Sequence, residues 1–223
     1  MKRRVFLVED HPITREGFRA VIDRTPDLEV VGEAADGPSA LDGIAASAPD
    51  IVVLDVMIDG SDGIEVTKQL RSIHADLPIL VVSGLSEGVY GERALRAGAQ
   101  GYLMKQEPPD RFLDAIRTVL SGHIALSPAL RERLVDSYLT ASGSAASAVD
   151  DLTDRELEVF RQFGHGLTTA EVAEAIMVSP KTVETHRVHI KQKLGIRTTN
   201  EFVQRAALWV AREGGATGAD DAA

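Results

Sequence analysis

The chain has 223 residues, of which 44% are hydrophobic and 26% are charged. This composition excludes wholesale disorder and leaves room for one large domain or two small ones. No stretch approaches the roughly 18 consecutive apolar residues of a membrane helix, and the apolar run after the basic N-terminus is too short for a secretory signal. The chain has no cysteine, which excludes disulfides and thiolate metal sites. We therefore expect a cytoplasmic protein with no membrane partner.

The net charge of −10 is distributed unevenly. Residues 1–120 hold 13 basic and 20 acidic side chains, whereas residues 151–210 hold 8 of each. Within the second part, residues 178–197 contain 5 Lys or Arg against Glu184 alone. An acidic N-terminal part and a basic stripe in the C-terminal part predict two modules with different partners.

The first 120 residues alternate short, β-branched-rich apolar runs with amphipathic stretches. These patterns predict strands at 5–8, 30–31, 51–54, 79–82 and 101–104, and helices near 14–24, 38–47, 62–73, 87–97 and 108–121. Five β–α pairs in succession predict an α/β domain over 1–121. Its core is expected to be a five-stranded, parallel, doubly wound sheet of the flavodoxin type.

The rest of the chain reads as a linker, a small all-α domain and a tail. A helix over 128–139 and a low-complexity run over 140–148 predict a flexible linker at 122–150. Four helices are expected within a domain at 151–212, and the tail 213–223 is expected to be disordered. The helices are predicted at 153–163, 168–175, 179–193 and 199–212. Thr153 with Glu156 forms a capping box, and Ser179 is an N-cap before a proline.

Polar side chains follow four of the predicted strands: Glu9 and Asp10, Asp55, Ser83 and Lys105. The carboxyl ends of parallel strands share one edge of a sheet, so these side chains should meet. Three neighbouring carboxylates repel one another unless a cation joins them, and Mg²⁺ prefers such oxygen ligands. Asp55 could then attack phosphorus, with Lys105 and Ser83 contacting the phosphoryl oxygens. Each residue alone could be a solvated loop residue, but the whole set favours a site.

Segments 6–12, 53–65, 81–84 and 101–105 resemble the receiver domain of two-component response regulators. The resemblance implies that Asp55 accepts a phosphoryl group from a sensor histidine kinase and that Ser83 and Tyr102 form a switch pair. It implies four Mg²⁺ ligands: Glu9, Asp10, Asp55 and the main-chain carbonyl of Met57. The chain departs from the family pattern at Asp59, where a proline is frequent, and an additional acid there could weaken phosphoryl transfer.

A phosphatase of the haloacid-dehalogenase type is the enzymatic alternative, because it also uses an aspartate after a strand. That family requires a second aspartate two residues later as general acid. Met57 occupies this position, so we do not expect an enzyme.

The second module contains a helix, a break near Val178 and a helix that starts at Ser179, which is the helix-turn-helix arrangement. Val183, Ile190 and Leu194 form an apolar stripe on the last of these helices. The other side could contact double-stranded DNA: Glu184, Thr185 and Val188 through bases, and Lys181, Arg187 and Lys191 through phosphates. Thr182 is a further predicted DNA contact. A solvated basic face of an ordinary bundle is the alternative. His186, at the margin, suits either packing or DNA contact.

Segments 152–159, 179–187 and 193–195 resemble the LuxR-type DNA-binding domain. Together with the receiver motifs they identify the NarL/FixJ subfamily of response regulators, in which the last helix commonly takes part in dimerisation. We therefore predict a transcriptional regulator that is phosphorylated on Asp55 and binds promoters as a homodimer when active. The alternatives are a receiver regulated without phosphorylation, favoured by Asp59 alone, and an adaptor whose helical module binds no DNA.

Overall fold

The computed structural model describes residues 1–140 and 148–215. The chain divides into two compact units, Met1–Ser142 and Gly143–Ala223, and the division falls within the predicted linker. Nearly all of the low-complexity run at 140–148 and the last eight residues of the predicted tail lie outside the described residues. Within the described ranges, no helix is both long and apolar enough to cross a membrane.

The described part of the first unit contains seven strands. They are β1 (Arg3–Val8), β2 (Leu28–Ala34), β3 (Ile51–Leu54), β4 (Met57–Ile58), β5 (Ser61–Asp62), β6 (Ile79–Ser83) and β7 (Gly101–Met104). Five of them form one sheet in the order β2-β1-β3-β6-β7, and every neighbouring pair is parallel. This sheet confirms the predicted fold class. Strands β4 and β5 form a separate antiparallel pair of two residues each, too short to leave a periodic signal in the sequence.

The described residues of this unit form six helices. They are α1 (Pro12–Asp23), α2 (Gly37–Ser47), α3 (Gly63–Ile73), α4 (Glu87–Arg96), α5 (Pro109–Leu120) and α6 (Pro128–Thr140). Local chemistry sets several of their ends. Asp36 and Asp62 accept hydrogen bonds from the first amides of α2 and α3. Gly98, with φ +106°, follows α4, where a left-handed residue ends a helix without steric cost.

The core of this unit lies around the three central strands. All residues of β3 and β6 are buried, because helices cover both faces of a parallel sheet. Phe18 of α1 stacks on Phe112 of α5 with ring centroids 4.7 Å apart. The edge strand β2 is only partly buried. Its apolar signal was therefore confined to Val30 and Val31, and the strand is longer than predicted.

The second unit consists of α7 (Asp154–Gly164), α8 (Thr169–Ala175), α9 (Pro180–Lys193) and α10 (Thr199–Gly215), preceded by a short 3₁₀ helix at Ala148–Asp151. Phe202 packs edge-on against Phe160 and Phe163, at centroid distances of 5.4 and 5.3 Å. Capping boxes start α7 and α8 at Thr153 and Thr168. The predicted disordered tail needs a correction, because α10 continues to Gly215 and residues 213–215 are helical.

Candidate functional site

Three of the predicted strand-end residues meet at one edge of the sheet. Glu9 follows β1 and Asp55 follows β3, and they are 1% and 4% exposed. Lys105, after β7, places its Nζ atom 2.6 Å from Glu9 Oε2 and 2.7 Å from Asp55 Oδ2. Two carboxylates therefore share a single ammonium group in a buried site, so that when both are ionised they carry one more negative charge than Lys105 neutralises.

Burial dominates the electrostatics of this cluster. It raises the pKa of Asp55, and the positive charge of Lys105 opposes this shift. Burial also raises the pKa of Glu9, reinforced by the charge of Asp55. For Lys105, burial favours the neutral form, but the attraction of Asp55 and Glu9 outweighs it and raises the pKa of the ammonium group. Both carboxylates are thus held in an environment that would favour a further cation.

The residues present fit a hard divalent cation. Asp55 Oδ1 is buried and makes no hydrogen bond to the described residues. Glu9, Asp10 and His11 bring their potential ligand atoms within 4.8 Å of one another. Asp10 is more exposed than Glu9, and its Oδ1 lies 2.6 Å from His11 Nδ1. Clustered carboxylate oxygens of this kind are the ligands that Mg²⁺ prefers. Met57, the remaining predicted ligand, opens β4 two residues after Asp55.

The main chain around the acidic residues is held by neighbours that sequence reasoning missed. Arg15 of α1 donates a hydrogen bond to the Glu9 carbonyl at 2.5 Å, and its Nε atom lies 3.6 Å from Glu33 of β2. Gly63 starts α3 so close to Asp55 that a Cβ atom would overlap the Asp55 carbonyl. The position of Arg15, one helical turn after His11, could have indicated its proximity to the acidic residues. The role of Gly63 could be recognised only from the packing.

The predicted switch residues meet at Leu85. Ser83 is buried, and its Oγ atom accepts a hydrogen bond from the Leu85 amide at 3.3 Å. The Tyr102 ring is also buried, and its hydroxyl donates to the Leu85 carbonyl at 2.8 Å. Gly84, between Ser83 and Leu85, is exposed and has open space where a side chain would lie.

Asp59 lies in the turn between β4 and β5 and is exposed. Its main-chain amide donates to the Ala35 carbonyl at 3.2 Å. The departure from the family pattern at this position therefore places a solvated acid at the surface rather than an additional carboxylate in the buried cluster.

Helix α9 in the second unit has one buried and one exposed side. Ser179 caps it by accepting from the Thr182 amide at 3.1 Å. Val183, Ile190 and Leu194 are buried, as their spacing predicted. Among the predicted DNA contacts, the exposed ones are Lys181, Thr182, Thr185 and Val188. His189 and Gln192 are exposed on the same helix and were not predicted as contacts.

Glu184 and Arg187 are already engaged within the domain. The Glu184 carboxylate accepts from Thr169 Oγ1 at 2.9 Å and lies 2.8 Å from Arg187 Nη2. The guanidinium of Arg187 in turn lies over the Phe163 ring, 5.8 Å from its centroid. Both side chains are half-buried, and they make contacts within the domain that their place in the sequence did not reveal.

His186 and Lys191 are half-buried as well. Burial, followed by the charge of Arg155, lowers the pKa of His186, which favours the packed, neutral interpretation of this histidine. On α10, Phe202 and Ala206 are fully buried, whereas Val203 and Leu208 are 40% and 55% exposed. The apolar face of α10 is therefore divided between the domain core and the surface.

Family models match both halves of the chain. The response regulator receiver domain matches residues 5–117, and the luxR family of bacterial regulatory proteins matches residues 150–206. The oxygen regulatory protein NreC of Staphylococcus carnosus is 33% identical over 208 residues, which span 91% of this chain and 96% of NreC.

Solved structures of response regulators also resemble this chain. A LuxR-family two-component response regulator from Aurantimonas sp. SI85-9A1 is 36% identical, with a TM-score of 0.58 over 62% of this chain and 99% of that one. The response regulator ChrA of a heme-sensing two-component system is 32% identical, with a TM-score of 0.51 over 95% of this chain and 98% of that one. The chain therefore belongs to the LuxR/NarL family of DNA-binding two-component response regulators.

Proposed function

We propose that Asp55 accepts a phosphoryl group from a sensor histidine kinase in the presence of Mg²⁺, and that this modification controls dimerisation and promoter binding. The observation that carries the proposal is the Asp55 carboxylate. It is buried, it is held through Oδ2 by Lys105, and its Oδ1 atom makes no hydrogen bond to the described residues.

Each polar group at this edge of the sheet has a distinct role in the proposed transfer. Asp55 Oδ1 forms the new bond to phosphorus as the phosphorus–nitrogen bond of the donor phosphohistidine breaks. Lys105, freed from part of its carboxylate pairing, binds a phosphoryl oxygen. Glu9, Asp10, Asp55 and the Met57 carbonyl would hold Mg²⁺, which neutralises charge on the transferred group. The arrangement supplies positioning and electrostatic stabilisation, which are the main demands of phosphoryl transfer.

Ser83 and Tyr102 would report the modification. Ser83 Oγ gives up its hydrogen bond from the Leu85 amide, and the Ser83 hydroxyl donates a hydrogen bond to a phosphoryl oxygen. Because Tyr102 holds the carbonyl of the same Leu85, the loop between β6 and α4 cannot move without affecting both side chains. The altered surface of this domain then shifts a dimerisation or domain-release equilibrium, for which a coupling of about 1–3 kcal/mol is ordinary.

The second unit would bind promoter DNA through α9. The exposed side chains Thr185 and Val188 suit base contacts, and Lys181 suits a phosphate. The engaged pair Glu184 and Arg187 would act by fixing α9 against α7 and α8, and Arg187 and Lys191 retain enough exposure for phosphate contact. Val203 and Leu208 of α10 offer apolar surface for a homodimer.

Intact mass after incubation with a small phosphodonor tests the proposal, with and without Mg²⁺, for wild type and for Asp55→Ala. We expect wild type alone to gain one phosphoryl group, and only with Mg²⁺. Asp59→Ala is the matched control, because this exposed aspartate lies four residues away and its loss should leave the gain intact. No gain by wild type would refute the proposal and favour a regulator that works without phosphorylation.

A further inference from the structure

Residues 123–135, which follow α5, lie against the receiver domain and form what we call the docked segment. The Ala125 amide donates to the Gln100 carbonyl at 2.9 Å, and the Tyr102 amide donates to the Ala125 carbonyl at 3.0 Å. These two hydrogen bonds make a parallel bridge between Gly101 and Ala125. The docked segment therefore continues the sheet beyond its edge strand β7.

The second half of the docked segment packs on α4. Ser127 Oγ donates to Glu87 Oε1 at 2.6 Å and accepts from the Leu130 amide at 3.0 Å, which caps α6. The Leu130 side chain is 2% exposed. It fills the space above Gly91, where a Cβ atom would come within 2.5 Å of Leu130 Cδ2. Glu87 and Gly91 are one turn apart, so a single face of α4 receives both contacts.

The docked segment is connected to the proposed switch pair by a continuous series of hydrogen bonds. Ser83 Oγ accepts a hydrogen bond from the Leu85 amide, and the Leu85 carbonyl accepts one from the Tyr102 hydroxyl. The Tyr102 amide then donates a hydrogen bond to the Ala125 carbonyl. Glu87, two residues after Leu85, holds Ser127. A displacement of Leu85 consequently reaches the docked segment by two routes, through β7 and through the start of α4.

We propose that the docked segment is held by the unphosphorylated receiver and released by phosphorylation, so that it carries the signal toward the DNA-binding domain. When Ser83 turns to a phosphoryl group on Asp55, the Leu85 amide loses its acceptor. The loop and the first turn of α4 then shift, and the contacts of Tyr102 and Glu87 with the segment weaken. This inference rests on the proposed function of Asp55 and Ser83.

Reciprocal coupling gives a direct test. If occupation of the Asp55 pocket weakens docking, a variant with weakened docking binds a phosphoryl mimic more tightly by the same factor. We would titrate the full chain with beryllofluoride in saturating Mg²⁺ by calorimetry. Leu130→Ala should raise the affinity about fivefold or more, and Ser127→Ala should raise it less, through loss of the Glu87 hydrogen bond. Val135→Ala is the matched control on the same helix, because Val135 is 54% exposed.

Hydrogen exchange of the wild-type chain provides the second readout. Amides of residues 123–130 should exchange at least about tenfold faster when beryllofluoride is bound. The inference is overturned if both Leu130→Ala and Ser127→Ala bind beryllofluoride like wild type, if they bind it more weakly, or if exchange in 123–130 does not change. Failure of wild type to bind beryllofluoride, or equal binding by Asp55→Asn, would instead overturn the proposed function and the inference with it.

Discussion

Replacement of Lys105 by methionine is the most informative perturbation of the acidic cluster. The side chain keeps its length and loses the ammonium group that lies within 2.7 Å of both carboxylates. Because Glu9 Oε2 and Asp55 Oδ2 both contact the same Nζ atom, they lie no more than about 5 Å apart, where two unit charges repel by at least roughly 3 kcal/mol at an effective dielectric constant of about 20. Loss of one partner from a buried ion pair typically costs about 3–5 kcal/mol. We therefore expect a comparable loss in the unfolding free energy of the receiver domain.

Thermal unfolding with two probes measures this loss. The buried tyrosines Tyr90 and Tyr102 report on the first unit through near-ultraviolet circular dichroism. Trp209, the single tryptophan, reports on the second unit by fluorescence. At pH 7 without Mg²⁺, the tyrosine transition should fall by about 10 °C or more, and the Trp209 transition should not move. Lys68→Met is the control, because Lys68 forms an exposed pair with Glu65 and its loss should cost less than about 0.5 kcal/mol.

Added Mg²⁺ and a fall in pH should each reduce the destabilisation caused by Lys105→Met. At a hundredfold excess over the variant's Kd, Mg²⁺ should stabilise Lys105→Met by about 2–3 kcal/mol. The same Mg²⁺ concentration should stabilise wild type less, because Lys105 competes with the cation for the same carboxylates. Burial raises the pKa of Glu9 and Asp55, so both take up protons as the pH falls and the deficit should shrink below neutrality. An unchanged tyrosine transition, or a fall that neither Mg²⁺ nor acid relieves, would refute this account of the cluster.

Further predictions address the packing and the DNA-binding surface. Gly63→Ala should cost the receiver about 1–3 kcal/mol in the same tyrosine assay, and full stability would show that α3 can move away from Asp55. Lys193→Met should cost the second unit about 1–3 kcal/mol in urea titrations followed by Trp209, because Lys193 lies 2.6 Å from buried Glu156. Burial favours a raised pKa for Glu156, but Lys193 and the Thr153 amide outweigh it and lower the pKa. The contribution is thus present near neutrality and lost as the pH falls through that lowered value, and a deficit that persists in acid would contradict the pairing. Lys181→Ala should weaken binding to all DNA sequences and reduce the salt slope by about 0.9, whereas weakening at preferred sites alone would exclude a phosphate contact. Thr185→Ala should change the sequence enriched by selection from random DNA, and an unchanged sequence would count against base contact.

Much of the fold followed from patterns that need no tertiary information. The central strands β3 and β6 are buried on both faces and produce continuous apolar runs. The helix ends carry predicted capping residues such as Thr153 and Ser179, whose hydrogen bonds to the first helical turn are local. The edge strand β2 and the β4–β5 pair were incompletely predicted, because partial burial and a length of two residues leave little periodic signal.

The sequence predicted which residues form the candidate site, but it did not predict which of their side chains pair with one another. Each strand end contributed a recognisable residue type, so Glu9, Asp55 and Lys105 could be grouped from topology alone. The sharing of one ammonium group by two carboxylates depends on distances that only the packed sheet defines. The same holds for Glu184, which the sequence offered as a base contact and which the structure pairs with Thr169 and Arg187.

The sequence by itself determined the two-module organisation, the parallel sheet and the residue types at its reactive edge, because these depend on periodicity, composition and strand order. The tertiary structure alone decided which side chains are free to act. It placed Asp59 in solvent, left Asp55 Oδ1 without a hydrogen bond from the described residues, and laid residues 123–135 along β7 and α4. Contacts between segments distant in sequence leave no local pattern, so only the packed chain reveals them.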